Sequence, residues 1–377
     1  MPPDFTANRT SAPGYGKDVV TMQYPYFCKT AVDREYYRNY LQDQLPERIL
    51  DMHSHMNLPE HLRNVPQSRI DGDWALQAGY RMTAQEAGTF ARELFETVSY
   101  SFVGFPFPIR EADLAANNRY ISACIASGEI KAGLMTVTPD MSAGEVCRQL
   151  TEGGFAGLKP YPDLVGSEKG AEIGIFDFLP REQLEAAWKL QICVLLHLPR
   201  AKRLADENNV KELREIVADF PGIKLIVAHL GRCYNPCYWE RGTELLGPDI
   251  HKLWFDTAGV TNPQVLRPAF SQLDPARLMF GLDLPIFLWH GTRRWTETGY
   301  QNLCRENLPW KPQADPPEVQ EQYPFFVYEE VKNLLSAMEE CGWDQTRKEG
   351  FFHDNAAVFF QGCGKTQETH RSTSRKG

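Results

Sequence analysis

Eight short apolar runs alternating with helix-length segments predict an α/β protein: a (β/α)8 TIM barrel in a single domain, with long loop insertions after strands 1 and 8. Two further observations carry that expectation. The runs end on residues of one chemical kind, His53 and His55, then His197, His229 and Asp283, as they would where strands of a barrel open onto a shared face. The first run is followed by His-x-His and not by the glycine-rich phosphate turn that a doubly wound sheet would carry.

In chain order, residues 1–45 form a tyrosine-rich leader expected to pack against the barrel, apart from a loose first dozen. Strand 1 is Arg48–Asp51 and strand 2 is Ser99–Phe105. From Gly128 onward, strands are expected at 132–137, 155–159, 192–197, 223–228, 252–257 and 278–283, interleaved with helices at 142–152, 181–190, 207–219, 262–272 and 326–341. Parallel neighbours need such crossovers. Residues 56–98 and 284–324 exceed a minimal repeat and are expected to be lids or specificity loops. The barrel domain spans 46–362, and the polar, basic tail 363–377 is expected to be disordered.

The net charge of −9 removes any broad attraction to nucleic acid or to an anionic membrane. No segment reaches the roughly 18 apolar residues of a membrane span, and Met1–Gly16 lacks the charged start and apolar stretch of a signal peptide. A cytoplasmic protein is expected. The nine cysteines are odd in number and mostly far apart, which suits reduced, buried thiols. Cys233 and Cys237 follow His229 closely, but no second ligand pair accompanies them, so they read as loop thiols beside the site.

Side chains alternate along a strand, so His53 and His55 share a face and can grip one ion. Asp51, just before them, can orient a ligand imidazole or cap a turn. His197 ends a run of apolar residues where a structural imidazole would lack a partner, which favours ligation. His229 suits either a fourth nitrogen ligand or a general acid/base. Asp283 can bind metal, take a proton or cap a turn. Lys159 also ends a strand; some barrels of this architecture carbamylate such a lysine to bridge two metals, though a salt bridge or substrate contact is the commoner outcome. Arg200 and Arg232, each three residues beyond a histidine, can reach over the pocket to bind a carboxylate, with Tyr161, Trp289, His290 and one of Arg293 or Arg294 as further walls.

The segments Asp51–His55, Gly154–Lys159, Val194–His197, Ile226–Gly231, Phe280–Pro285 and Asn355–Ala357 together resemble the amidohydrolase superfamily, in its amidohydrolase-2 branch of hydrolases, hydratases and decarboxylases. The resemblance implies a (β/α)8 barrel with one divalent metal, usually zinc and sometimes manganese, held by His53, His55, His197 and Asp283, and His229 kept off the metal as acid/base. The chain departs from the branch in its insertions at 56–98 and 284–324 and in Leu282 and Leu284 beside the aspartate.

A metal-dependent hydrolase, in which metal-activated water attacks an ester, lactone or amide of a small carboxylate-bearing substrate, is the leading expectation, with Asp283 or His229 managing the proton. The alternative is a non-oxidative decarboxylase of an aromatic or unsaturated acid. A second alternative is a barrel that keeps its metal and binds a ligand without turnover. The partner expected is a small anionic molecule; the aromatic leader suits subunit pairing in a homo-oligomer or a plug for the barrel's lower end.

Overall fold

The computed structural model describes residues 27–165, 172–297, 299–306, 308 and 315–364. Its strands are β1 (Arg48–His55), β2 (Ser99–Phe105), β3 (Ala132–Val137), β4 (Gly157–Pro160), β5 (Cys193–Leu196), β6 (Lys224–Val227), β7 (Trp254–Asp256) and β8 (Leu278–Met279). They pair in parallel in chain order. The ring closes between β8 and β1, where Met52 N donates to Phe280 O at 2.9 Å and His55 N to Leu284 O at 2.7 Å. This is the expected TIM barrel. The strands are buried almost throughout, as parallel strands covered on both faces must be.

Alternation assigns each strand two jobs. Leu50, Met52, Leu134, Leu195, Ile226 and Met279 point inward and fill the barrel, while Ile49, Met135, Val194 and Leu225 face the helices. Each such side chain, fully buried, contributes about 1.5–3 kcal/mol. The helices Ala143–Gly153, Arg181–Lys189, Glu207–Asp219, Pro263–Gln272 and Phe326–Glu340 lie where the periodicity places them, within a residue of the expected ends.

The ends of the sheet differ from expectation in two places that matter for the site. β1 does not stop at Asp51 but runs to His55, with a bulge between Asp51 and Ser54 that changes its register on β2. β8 is only two residues long, because beyond it the chain turns: Gly281 packs its backbone on His53, where an added Cβ would come within 2.8 Å of the His53 Cβ, and Asp283 adopts a left-handed φ of 56°.

The described part of the leader holds the helix Ala31–Tyr40, started by a capping box of Thr30 and Asp33. It lies along Phe326–Glu340, with Tyr36 stacked on Tyr328 and its hydroxyl donating to Glu329 at 2.9 Å. The plug at the barrel's lower end comes from the other terminus. The helix Asn355–Gln361 sets Ala356, Phe359 and Phe360 against the barrel's interior, Phe359 meeting Trp254, the first residue of β7, at a ring separation of 5.2 Å. The first insertion folds into the helices Gln67–Asp71, Trp74–Ala78 and Ala84–Phe95, and the second carries an antiparallel hairpin, β9 (Gly291–Trp295) with β10 (Tyr300–Cys304). The first dozen residues, expected to be loose, and the tail beyond Gly364, expected to be disordered, lie outside the described residues. No helix among those described is long and apolar enough to cross a membrane.

Candidate metal centre and substrate cavity

Hydrogen bonds at one ring nitrogen settle what the other nitrogen of each histidine can do. His53 Nδ1 lies 3.0 Å from Asp256 Oδ2, His55 Nδ1 3.3 Å from Pro106 O, and His229 Nδ1 2.8 Å from Ala258 O. Each acceptor can only receive, so the proton sits on Nδ1 and a lone pair on Nε2. Those lone pairs converge on a carboxylate: Asp283 Oδ1 is 3.0 Å from His55 Nε2 and 3.5 Å from His53 Nε2. Asp283 Oδ1 is buried and receives no hydrogen bond from any described residue. Lone pairs facing a carboxylate at these distances repel unless a cation lies between them, so these residues fit a metal ion. The ligating atoms of His53, His229 and Asp283 all lie within 4.8 Å of one another.

The protonation states agree. Burial lowers the pKa of His53 and of His55 and pulls His229 down to about 4, the neighbouring His53 adding to the shift. All three imidazoles are therefore neutral near pH 7, the form that binds metal. Burial pushes the Asp283 carboxyl up, but its contacts with His53 and His55 outweigh burial and hold its pKa below the usual carboxylate value, so the group is ionised near pH 7.

Backbone geometry delivers these groups. After β6 the chain makes a left-handed turn with φ of 58° at His229, 48° at Leu230, 70° at Gly231 and 61° at Arg232. Non-glycine residues held there, Asp283 included, cost on the order of 1–3 kcal/mol each and persist where the surroundings over-determine them. Here they aim His229, Arg232 and Asp283 into one space.

Asp256, at the end of β7, ties the site together and was not singled out in the sequence. Besides His53 Nδ1, its carboxylate accepts from His229 N at 2.9 Å and Ala258 N at 3.1 Å. It takes the orienting role that Asp51 was a candidate for. Asp51 is engaged otherwise, accepting from His53 N at 2.9 Å, Leu282 N at 3.3 Å and the Tyr100 hydroxyl at 3.0 Å. It pins β1 to the chain after β8, and burial raises its pKa to about 7.

A cavity of about 330 Å³ opens over the histidines, lined by Trp74, Phe107, Lys159, Tyr161, His197, Arg232, Tyr234, Asp283, Phe287, Arg293 and Tyr300 among others. Its volume is that of a small-ligand pocket. His197 sits at its edge, its ring 5.2 Å from that of His229 and 4.7 Å from that of Tyr161. The Lys159 ammonium is buried without a hydrogen-bond partner among the described residues, 5.0 Å from the centre of the Phe105 ring, and burial lowers its pKa to about 8. Arg232 donates from Nη1 to Leu198 O at 2.9 Å and forms no ion pair among the described residues.

Arg200, Trp289 and His290 lie elsewhere. Arg200 lines an adjoining outer cleft, where Asn209 and Glu212 hold its guanidinium at 2.7 and 3.0 Å. Trp289 is fully buried against Phe326. His290 is buried between Asp33 at 3.0 Å and Glu306 at 2.6 Å, joining the leader to the second insertion. Of the adjacent arginines, Arg293 turns inward, while Arg294 is exposed and paired with Asp315. Cys233 is buried and Cys237 exposed, both as free thiols.

The family model described as Amidohydrolase matches residues 50–361. No curated protein matches the sequence. Several solved structures resemble the fold. A 5-carboxyvanillate decarboxylase from Novosphingobium aromaticivorans, with bound manganese and 3-methoxy-4-hydroxy-5-nitrobenzoic acid, has a TM-score of 0.53 at 14% identity, covering 85% of this chain and 98% of its own. A dihydroxybenzoic acid decarboxylase from Polaromonas, with bound manganese and 2-nitroresorcinol, has a TM-score of 0.52 at 14% identity, covering 84% and 97%. A 2,6-dihydroxybenzoate decarboxylase in complex with 2,6-dihydroxybenzoate has a TM-score of 0.53 at 13% identity, covering 84% and 100%. Likeness at such identity speaks to architecture alone.

Proposed function

The chain belongs to the amidohydrolase family, and from that premise we propose that it is a metal-dependent, non-oxidative decarboxylase of a small aromatic carboxylic acid. The observation that carries this reading is Arg232, a guanidinium on the cavity wall with no carboxylate partner among the described residues, facing aromatic walls across a group of metal-ligating side chains. Arg232 is half-buried, and a partly desolvated cation without a counter-ion favours an anionic ligand; a substrate carboxylate supplies one in bidentate geometry. Phe107, Trp74, Phe287 and Tyr234 offer faces and edges for a single ring.

His53, His55 and Asp283 would hold the divalent ion, with His229 the nearest further donor. Imidazoles mixed with one carboxylate suit zinc and manganese alike, and manganese is the ion named for two structures of similar fold. When bound, the ion supplies a Lewis acid that fixes and polarises substrate oxygens. Arg232 would orient the acid, and the aromatic walls would hold the ring and exclude water. The bond between ring and carboxyl carbon breaks heterolytically; neutral carbon dioxide leaves, its electron pair stays on the ring carbon, and that carbon takes up one proton.

This reading departs from the hydrolase that led in the sequence. A hydrolase of a carboxylate-bearing ester or lactone would also occupy Arg232; what favours an aromatic acid is the guanidinium together with the ring walls around it, and a fold shared with manganese-containing decarboxylases. Manganese-loaded protein is to be screened with hydroxybenzoates and with aryl lactones, recording carbon dioxide release and, in deuterated water, deuterium at the vacated ring carbon. Carbon dioxide with one deuterium per turnover is expected. Lactone opening without carbon dioxide from any acid would return the assignment to a hydrolase.

A further inference from the structure

The second insertion, which sets this chain apart from the branch it resembles, places a further guanidinium in the cavity beside Arg232. Arg293, on β9, is 4% exposed. Its Nε donates to Asn302 Oδ1 on the paired strand β10 at 2.8 Å, and its Nη1 to Gly259 O at 2.7 Å. These bonds fix the guanidinium plane and leave Nη2 bonded to no described residue. Aromatic rings surround the group, with the Tyr300 ring centre at 4.1 Å, Phe326 at 5.0 Å and Tyr234 at 5.4 Å.

No carboxylate neutralises it among the described residues. The acid packed nearby is Glu330, whose Oε1 accepts from Gly259 N at 2.8 Å; burial raises its pKa well above the usual carboxylate range, Arg293 opposing the shift. Arg232 is tied to the loop after β5 through Leu198 O, and Arg293 to the loop after β7 through Gly259 O. The two guanidinium groups therefore stand at separate points of the rim. Each holds a spare edge on the same cavity.

We infer that Arg293 is a specificity-determining residue that receives a second anionic oxygen substituent of the substrate, a ring carboxylate or phenolate remote from the carboxylate held by Arg232. The substrate class is thus an aromatic acid with two anionic groups. The inference rests on the proposed acid-binding function and narrows it. A brace for the Gly259 turn is the plain structural role against which it is tested.

Calorimetric titration of manganese-loaded protein with benzoate, isophthalate and terephthalate separates the two. A charge-assisted hydrogen bond to a buried guanidinium, worth about 1.5–3 kcal/mol, corresponds to roughly 10- to 100-fold in affinity. Wild-type protein is expected to bind at least one diacid more tightly than benzoate by about that factor. Arg293→Gln should erase the preference and leave benzoate binding and metal content unchanged, and Arg293→Lys should keep a part of it. Equal weakening of benzoate and diacids in Arg293→Gln, or no preference in the wild type, overturns the inference while the acid-binding function stands. Failure of all three acids to bind overturns both.

Discussion

Replacing Asp256 by asparagine tests the tautomer argument at its most exposed point. In the wild type, the carboxylate accepts the Nδ1 proton of His53 at 3.0 Å and the backbone protons of His229 and Ala258 at 2.9 and 3.1 Å. Asparagine keeps one oxygen for the two backbone donors, because Oδ1 already serves both. In place of Oδ2 it presents an amide that can only donate, so His53 Nδ1 must become the acceptor and the ring proton must move to Nε2. His53 then has no lone pair to offer a metal without losing that bond.

Partners of this kind are worth 10- to 100-fold in metal affinity, which is about 1.4–2.8 kcal/mol. The fold should suffer little, since the turn after β6 keeps its backbone bonds. The assay is competition for manganese against a chelator of known affinity, alongside a denaturant midpoint. Wild-type metal affinity in Asp256→Asn would refute the assignment of lone pairs. Asp256→Ala should differ in kind, losing metal and also stability, because each stranded buried N–H costs roughly 1–3 kcal/mol.

The order of the two further histidines is open to direct measurement. Because the ligating atom of His229 lies within 4.8 Å of those of His53 and Asp283, His229→Ala is expected to lower metal content more than His197→Ala. The reverse order would place His197 on the ion and free His229 for proton transfer. A third prediction concerns pH. The Glu330 carboxyl is buried with its pKa raised, so the folded state is penalised as pH climbs from the unfolded value of about 4.3 toward the folded one. Glu330→Gln lacks that penalty yet still accepts from Gly259 N. Its stability relative to wild type should therefore rise between pH 4.5 and 8 in urea denaturation, and a constant difference would refute a raised pKa.

The strands were legible because parallel strands covered on both faces read as unbroken apolar runs, and their polar terminators named five residues that the barrel does bring together. What failed to show was pairing across the barrel. Asp256 ends a run as plainly as His197 does, but an aspartate there also reads as a turn cap, and only the closed ring sets it against His53. Arg200 and Arg232 have the same spacing from their histidines. The difference lies in the helix Glu207–Asp219, which offers Asn209 and Glu212 to the first arginine. Trp289 and His290 stand next to arginines in sequence yet pack behind the cavity, where Phe326, Asp33 and Glu306 hold them. Strand alternation on β9 separates Arg293 from Arg294, a distinction that needs the hairpin register.

Sealing of the barrel by Asn355–Gln361 has a consequence for biosynthesis. All eight barrel strands leave the ribosome before the stopper that fills their lower opening, so a nascent chain holds an unfinished, greasy bore until Asn355–Gln361 emerges. Chains truncated ahead of Asn355 present that bore to chaperones and proteases.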